Sequence, residues 1–254
     1  MTDPIGVVLL VVGGLAVGSF LNVCVYRLPR HESLVWPGSR CTACGRSLAW
    51  FENVPMLGYL LLGGRCRTCR RRISLVYPLV EVVTPALFVL QYWQVGWQPL
   101  LAVRLVFSCA MLVLFVVDLQ HRLLPNAVTV PGVGVGLTAS LFVEPGWRDA
   151  LIGAVLGGGV LFGLAEIYYR VRQEEGLGMG DVKMLAMIGA FLGWQLMLVA
   201  LLLGSVLGSV IGIVMLALGL ADSKYALPFG SFLAIGAVVA GISGEPLIAW
   251  YLSR

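Results

Sequence analysis

The sequence predicts an all-α polytopic membrane protein of about eight transmembrane helices, with a small cytoplasmic loop domain between the first two. Three observations predict it. Of the 254 residues, 59% are hydrophobic. Only 12% are charged, about half the roughly 25% of a soluble domain. The apolar residues gather into uncharged runs of membrane-crossing length, and the basic residues gather between them. The same composition excludes disorder, which needs low hydrophobicity and high net charge. The net charge of +4 then reads as a determinant of membrane orientation and lipid contact, not of nucleic-acid binding. The 32 glycines follow no period, which excludes collagen and suits closely packed helices.

A transmembrane helix needs about 20 mostly apolar residues. Residues 5–26 meet this without a charge. No basic stretch precedes them and no small-residue cleavage site follows, so residues 1–26 read as a retained first span, not a removed signal. Gly14 and Gly18 form a small-x3-small pair, a helix-packing face. Residues 27–76 form the polar loop, and residues 77–254 the remaining bundle. Its spans are expected at 77–99, 100–118, 127–143, 149–168, 183–220 and 229–244. The 38 residues from Met184 to Ala221 carry no charge and are too long for one helix, so Gly193, Trp194 and Gln195 divide that stretch into two spans. With the short acidic N-terminus outside, the segments 26–76, 118–126, 166–183 and 221–228 face the cytoplasm, Lys224 among their cations. They hold every cation except Arg104, Arg148 and Arg254, a positive-inside bias that places both termini externally.

Cys41, Cys44, Cys66 and Cys69 form C-x2-C-x21-C-x2-C. Two close pairs about 20 residues apart are the spacing of a four-thiolate zinc site, with Gly45 permitting the turn after the first pair. Two disulfides are the rival pairing, disfavoured in a loop that its arginines place in the reducing cytoplasm. Four protein thiolates leave no open position, so one structural Zn2+ per chain is expected to hold the loop together. Cys24 and Cys109 lie in apolar spans and read as small buried hydrophobes.

Acidic residues beside transmembrane segments are costly. Asp118 ends the third span and Asp181 precedes the sixth, 63 positions later. Those spans run in opposite directions, so both carboxylates lie at the cytoplasmic face. Two carboxylates in a poorly solvated site tend to share one proton, the arrangement in which one activates water while the other polarises an amide. Helix flanking explains each aspartate equally well, Asp181 beside a helix N-terminus above all. Gly178 and Gly180 would let a substrate backbone approach, and Lys183 is either an interfacial anchor or a partner that keeps Asp181 ionised. Glu81 begins the second span, as an interfacial or a functional residue. Glu174 and Glu175 read as a solvated turn. Gly176, Gly178 and Gly180 are no dinucleotide fingerprint, since no strand precedes them.

The motifs Gly18-Ser19-Phe20-Leu21-Asn22, Tyr26-Arg27-Leu28-Pro29, the paired C-x2-C, Glu52-Asn53-Val54-Pro55, Tyr77-Pro78-Leu79-Val80-Glu81, Asp118 before Leu124-Pro125, Gly178-Met179-Gly180-Asp181-Val182-Lys183 and Pro228-Phe229-Gly230 together resemble the bacterial type IV prepilin peptidases. The resemblance runs from about residue 14 to the end. It implies a Gly-x-Gly-Asp membrane aspartic protease of the bacterial inner membrane. Such an enzyme cuts the basic leader from prepilins and from the pseudopilins of type II secretion, with Asp118 and Asp181 catalytic. It also implies N-methylation of the new N-terminus with S-adenosylmethionine as donor, for which Glu52, Asn53 and Glu81 are the candidate donor or substrate residues. No segment outside the membrane is long enough for a Rossmann-type methyltransferase domain, so the zinc-held loop would have to help build that site. Two positions depart from the family pattern: Asn126 stands where aspartate is common and Ser231 where proline is usual, and neither is expected to touch the aspartates. The sequence does not fix the oligomeric state.

Two other classes compete. A transporter using Asp118 and Asp181 for protons or cations needs a polar path across the bilayer, yet the later spans carry hardly any ionisable group at mid-depth. A structural subunit of a secretion assembly would use the cysteine loop for docking.

Overall fold

The computed structural model describes residues 3–173, 178–220 and 227–253. Glu174, Glu175, Gly176, Lys224 and Arg254 lie outside the described residues. The chain divides into two compact units, Met1–Val113 and Leu114–Arg254. Among the described residues there is no strand beyond two isolated bridges in the cysteine loop, and eight helices carry the fold. Five apolar helical stretches are long enough to cross a membrane: Pro4–Arg30, Val76–Val95, Pro99–His121, Trp147–Arg172 and Met179–Ala217.

The first unit is built on α1 (Pro4–Arg27), α2 (Leu57–Leu61), α3 (Val76–Val95) and most of α4 (Pro99–His121). The side chain of Asp3 accepts from the Ile5 N–H and caps α1, with Pro4 in the first turn, where its missing N–H costs nothing. Helix α1 packs on α3 through Gly14 and Gly18. A Cβ at these positions would stand 2.6 Å from the Pro85 Cα and 2.9 Å from the Glu81 Cα. Lipid offers no hydrophobic drive for association, so this close backbone approach supplies the contact through packing. Leu10, Phe88, Tyr92 and Leu101 form a buried cluster, with Cys109 against its edge. Cys24 is buried too, in keeping with both cysteines as packing residues.

Arg27 does more than end α1. It is buried, and its guanidinium donates to the Ser33, Pro37 and Gly38 carbonyls at 2.7, 2.6 and 3.1 Å. The loop entry is therefore folded around one charged side chain whose planar donors match three carbonyls.

The second unit takes in the end of α4 with α5 (Asn126–Ala139), α6 (Trp147–Arg172), α7 (Met179–Ala217) and α8 (Phe229–Leu252). Helix α7 packs against α5, α6 and α8 and carries the fully buried Met184, Leu185, Met187, Ile188 and Met197. It is broken at Gly193, with φ 77° and ψ 173°, a conformation open essentially to glycine. The division expected at Gly193 is therefore present, as a kink within one helical stretch of 39 residues. Helix α5 has 14 residues, or about 21 Å at 1.5 Å per residue, shorter than the roughly 30 Å of bilayer hydrocarbon. With the two expected spans of α7 joined in one helical stretch and the apolar part of α8, Phe229–Gly244, also short, five helices and not eight reach spanning length among the described residues.

Helix α7 also begins earlier than the expected span at 183. Gly178 is its N-cap residue, so Asp181 sits within the first turn and not ahead of the helix. A carboxylate there is favoured by the unpaired N–H groups of the helix start.

Candidate functional site

The cysteine loop consists of two knuckles with the same backbone plan. In the first, the Cys41 N–H donates to the Arg46 carbonyl at 2.9 Å, the Gly45 N–H to the Cys41 carbonyl at 2.9 Å, and Arg40 bridges Ser47. In the second, the Cys66 N–H donates to the Arg71 carbonyl at 2.9 Å, the Arg70 N–H to the Cys66 carbonyl at 3.0 Å, and Arg65 bridges Arg72. Gly45 turns with φ 72° and Arg70 with φ 57°, so an arginine takes the left-handed position that glycine fills in the first knuckle.

The four Sγ atoms all lie within 4.8 Å of one another, with Cys41 and Cys69 at 3.9 Å. A tetrahedral zinc with Zn–S bonds of about 2.3 Å sets S···S distances near about 3.8 Å, so the cluster has the size to hold one metal ion. Backbone N–H groups of Cys69 and Thr68 hold the Cys66 thiol down at about 6, and the Cys44 N–H lowers that of Cys41. Both shifts favour the thiolate, the ligating form, while burial and the neighbouring sulfurs push the Cys69 thiol up to about 11.

A cavity of about 300 Å³ opens beside the cluster. Asn22, Glu52, Asn53 and Glu81 line it, together with Tyr26, Tyr59 and Tyr77 and several arginines. The fold therefore collects Glu52, Asn53 and Glu81 around one space. Their roles differ. Glu52 is buried and receives Arg46 Nη2 on both oxygens and the Ala49 N–H at 2.8 Å, so it holds the loop together. Glu81 accepts from the Met56 N–H at 2.7 Å and from Asn22 Nδ2 at 3.5 Å. Met56 has φ 60° and ψ −46°, and the Leu57 N–H reaches back to the Pro55 carbonyl at 2.6 Å. This is a strained γ-turn that aims one backbone N–H at Glu81.

The two aspartates belong to the second unit. Asp118 lies on the last turn of α4 and is 5% exposed. Its Oδ2 accepts from the Ser231 N–H at 2.6 Å and from Ser231 Oγ at 2.9 Å. The expectation that Ser231 stays clear of the aspartates is thus corrected. The first turn of α8 delivers its backbone and hydroxyl straight to Asp118. Asn126 accepts from Lys183 Nζ at 2.9 Å, so Lys183 is engaged across to the start of α5.

Leu124 organises this corner. After α4 the chain reverses at Arg122, whose φ is 52° and whose N–H donates to the Asp118 carbonyl at 2.7 Å. Leu124 is carried back beneath both glycine turns. A Cβ on Gly180 would stand 3.0 Å from the Leu124 Cβ. A Cβ on Gly230 would stand 2.9 Å from the Leu124 Cδ1 and 3.1 Å from Asp118 Oδ2. Gly178 accepts from the Asp181 N–H at 3.0 Å, and Asp181 lies within electrostatic reach of Asp118. The two carboxylates interact electrostatically, and the glycines leave room beside Asp118 and Leu124 that larger residues would fill.

Sequence reasoning named both aspartates, both glycines and the cysteines. It missed Ser231, Leu124 and Arg27 as structural partners. Leu124 and Ser231 stand directly beside motif residues in the sequence, but nothing in an apolar or hydroxyl side chain announces which carboxylate it will meet.

These features define a polytopic membrane protein with two electrostatically interacting aspartates in one unit and a four-cysteine cluster beside a polar cavity in the other. Residues 12–95 match the bacterial peptidase A24 N-terminal domain and residues 105–213 the type IV leader peptidase family. A prepilin leader peptidase/N-methyltransferase of Pseudomonas aeruginosa is 36% identical over 94% of this chain and 91% of its own length. One from Pseudomonas putida is 39% identical over 93% and 90%. One from Myxococcus xanthus is 44% identical over 84% of this chain and 64% of its own. The chain belongs to the type IV leader peptidase family. No solved structure matches it.

Proposed function

We propose that this chain is a prepilin leader peptidase that also methylates the N-terminus it exposes. Its substrates would be type IV prepilins and type II pseudopilins, cut at the cytoplasmic face of the bacterial inner membrane, with both termini of the enzyme external. The observation that carries the reading is that Gly180, one residue before Asp181, and Gly230, which also stands beside Asp118 Oδ2, both pack on Leu124, in a family of leader peptidases.

A prepilin keeps a basic leader in the cytoplasm ahead of an apolar helix in the membrane, so its scissile bond lies at the interface. Asp118 and Asp181 share one proton there. The ionised carboxylate takes a proton from water, which attacks the carbonyl carbon. The protonated one polarises the carbonyl oxygen and the pair then returns a proton to the leaving amine. Glycines at 178, 180 and 230 keep the approach to the carboxylates open.

The cysteine cluster holds one structural zinc, with no ligand position left for catalysis. The cavity beside it takes S-adenosylmethionine. The donor set fits: the arginines lining the space suit a carboxylate, and the tyrosine faces with the Glu81 carboxylate suit a sulfonium cation. When bound, that group supplies an electrophilic methyl. Glu81, aligned by Met56 and Asn22, orients the cationic centre, while Asn53 offers an amide to the polar end.

Mass spectrometry of a prepilin incubated with purified protein and S-adenosylmethionine tests both activities. Wild type should remove the leader and add one methyl group. Asp181→Asn should leave the leader intact, and Glu81→Gln should release an unmethylated product. Equal cleavage by wild type and Asp181→Asn would overturn the protease site.

A further inference from the structure

Ser231 Oγ stands at hydrogen-bond distance from two acceptors, Asp118 Oδ2 at 2.9 Å and the Phe115 carbonyl at 3.1 Å. A serine hydroxyl has one proton and can serve only one of them at a time. Both Ser231 and Asp118 are buried, at 1% and 5% exposure, so water does not readily substitute for a lost partner.

From this we infer that Ser231 is a positioning residue matched to both protonation states of Asp118, resting on the reading of Asp118 as one of the two proteolytic carboxylates. When Asp118 is ionised, the hydroxyl donates to Oδ2 beside the Ser231 N–H, and Phe115 is the idle acceptor. When Oδ2 carries a proton, it donates that proton to Ser231 Oγ, and the serine proton turns to the Phe115 carbonyl. Each state is hydrogen-bonded at the hydroxyl, and the exchange needs only a rotation about the Cβ–Oγ bond. The backbone N–H of Ser231, 2.6 Å from Oδ2, anchors that oxygen throughout. Oδ2 is thereby held toward α8, so the ionised Asp118 takes the water proton on its other oxygen, the carboxyl that polarises the substrate amide is that of Asp181, and protonation on Oδ2 is the inactive state at the acid limb. The charged and titratable neighbours are Arg122, one turn further along the same stretch, and Asp181 on α7, both within electrostatic reach of Asp118. Neither can replace a donor that turns into an acceptor.

The test compares wild type, Asp118→Asn, Ser231→Ala and Ser231→Thr in full-length protein, on prepilin cleavage across pH and on thermal unfolding. Ser231→Ala keeps the backbone donor and loses the hydroxyl. It should lower kcat by about ten- to a hundredfold with KM within about twofold, since the lost hydrogen bond is one to a charged group. Its acid limb should move up by about one pH unit, and Ser231→Thr should restore both. Thermal unfolding of the same preparation in detergent at the wild-type temperature shows that the unit carrying Ser231 is folded. A Ser231→Ala enzyme with wild-type kcat and pH profile overturns this inference, as does failure of Ser231→Thr to rescue. An active Asp118→Asn overturns instead the reading on which it rests.

Discussion

Arg46 Nη2 reaches both carboxylate oxygens of Glu52, at 2.8 and 2.9 Å, and so ties the first cysteine knuckle to the 3-10 turn Trp50–Asn53. The loop thus has two fasteners, four cysteines close enough to hold a metal ion and a half-buried ion pair. Arg46 also acts electrostatically on Cys66, so its charge offsets that of the thiolates.

The Arg46 guanidinium beside Glu52 holds that carboxyl below the usual range. A lowered folded value means stability that is fully present above the unfolded value of about 4.3 and lost as pH falls through the folded one. Wild type should therefore lose loop stability more steeply than Glu52→Gln below about pH 4.3, measured by limited proteolysis of residues 27–76. At neutral pH Glu52→Gln should give the faster zinc loss to a chelator.

Metal analysis should find one zinc per chain in wild type and none in Cys66→Ser. Because Cys41 and Cys66 also line the cavity, stripping the metal should abolish methyl transfer. Retained methyl transfer in metal-free protein would separate the cluster from that activity.

Asp118→Asn and Asp181→Asn should each lower cleavage by about a hundred- to ten-thousandfold, the range for a lost general acid or base. Methylation of a pre-cleaved pilin by either variant should stay within about twofold of wild type, a range set by the scatter of surface-neutral changes.

Gly230→Ala should impair cleavage because its Cβ would meet Leu124 Cδ1 at 2.9 Å and Asp118 Oδ2 at 3.1 Å. Leu124→Ala removes the first contact and leaves the second. The double variant should recover part of the lost rate, and a strictly additive loss would show that Leu124 is not the obstacle.

Gly193→Ala should destabilise the second unit by about 1–3 kcal/mol through backbone strain. The added Cβ also meets Pro145 and Asp149 at 3.1 to 3.4 Å. Thermal unfolding in detergent would measure it, with Gly163→Ala, where a Cβ meets nothing within 4 Å, as the control.

Composition alone determined that this chain lives in a membrane, because long uncharged runs have no other stable environment. Spacing alone determined that the four cysteines gather, because two C-x2-C turns can close on one another without help from distant elements. The two aspartates were legible as expensive charges beside apolar spans, and the break in α7 as a glycine inside a run too long for one helix. Tertiary structure decided what each of these meets. Ser231 lies 113 residues from Asp118 in the chain, and its hydroxyl carries no mark of its partner until α8 is folded against the end of α4. Glu52 and Glu81 stood together as candidate donor or substrate residues on the family resemblance, and only the fold separates them. Arg46 occupies both oxygens of Glu52, whereas Glu81 is held by a backbone N–H and an amide with its carboxylate facing the space. Patterns of burial and spacing are local along the chain and survive in one dimension. Hydrogen-bond partnership between distant elements is a property of packing, and it exists only in three.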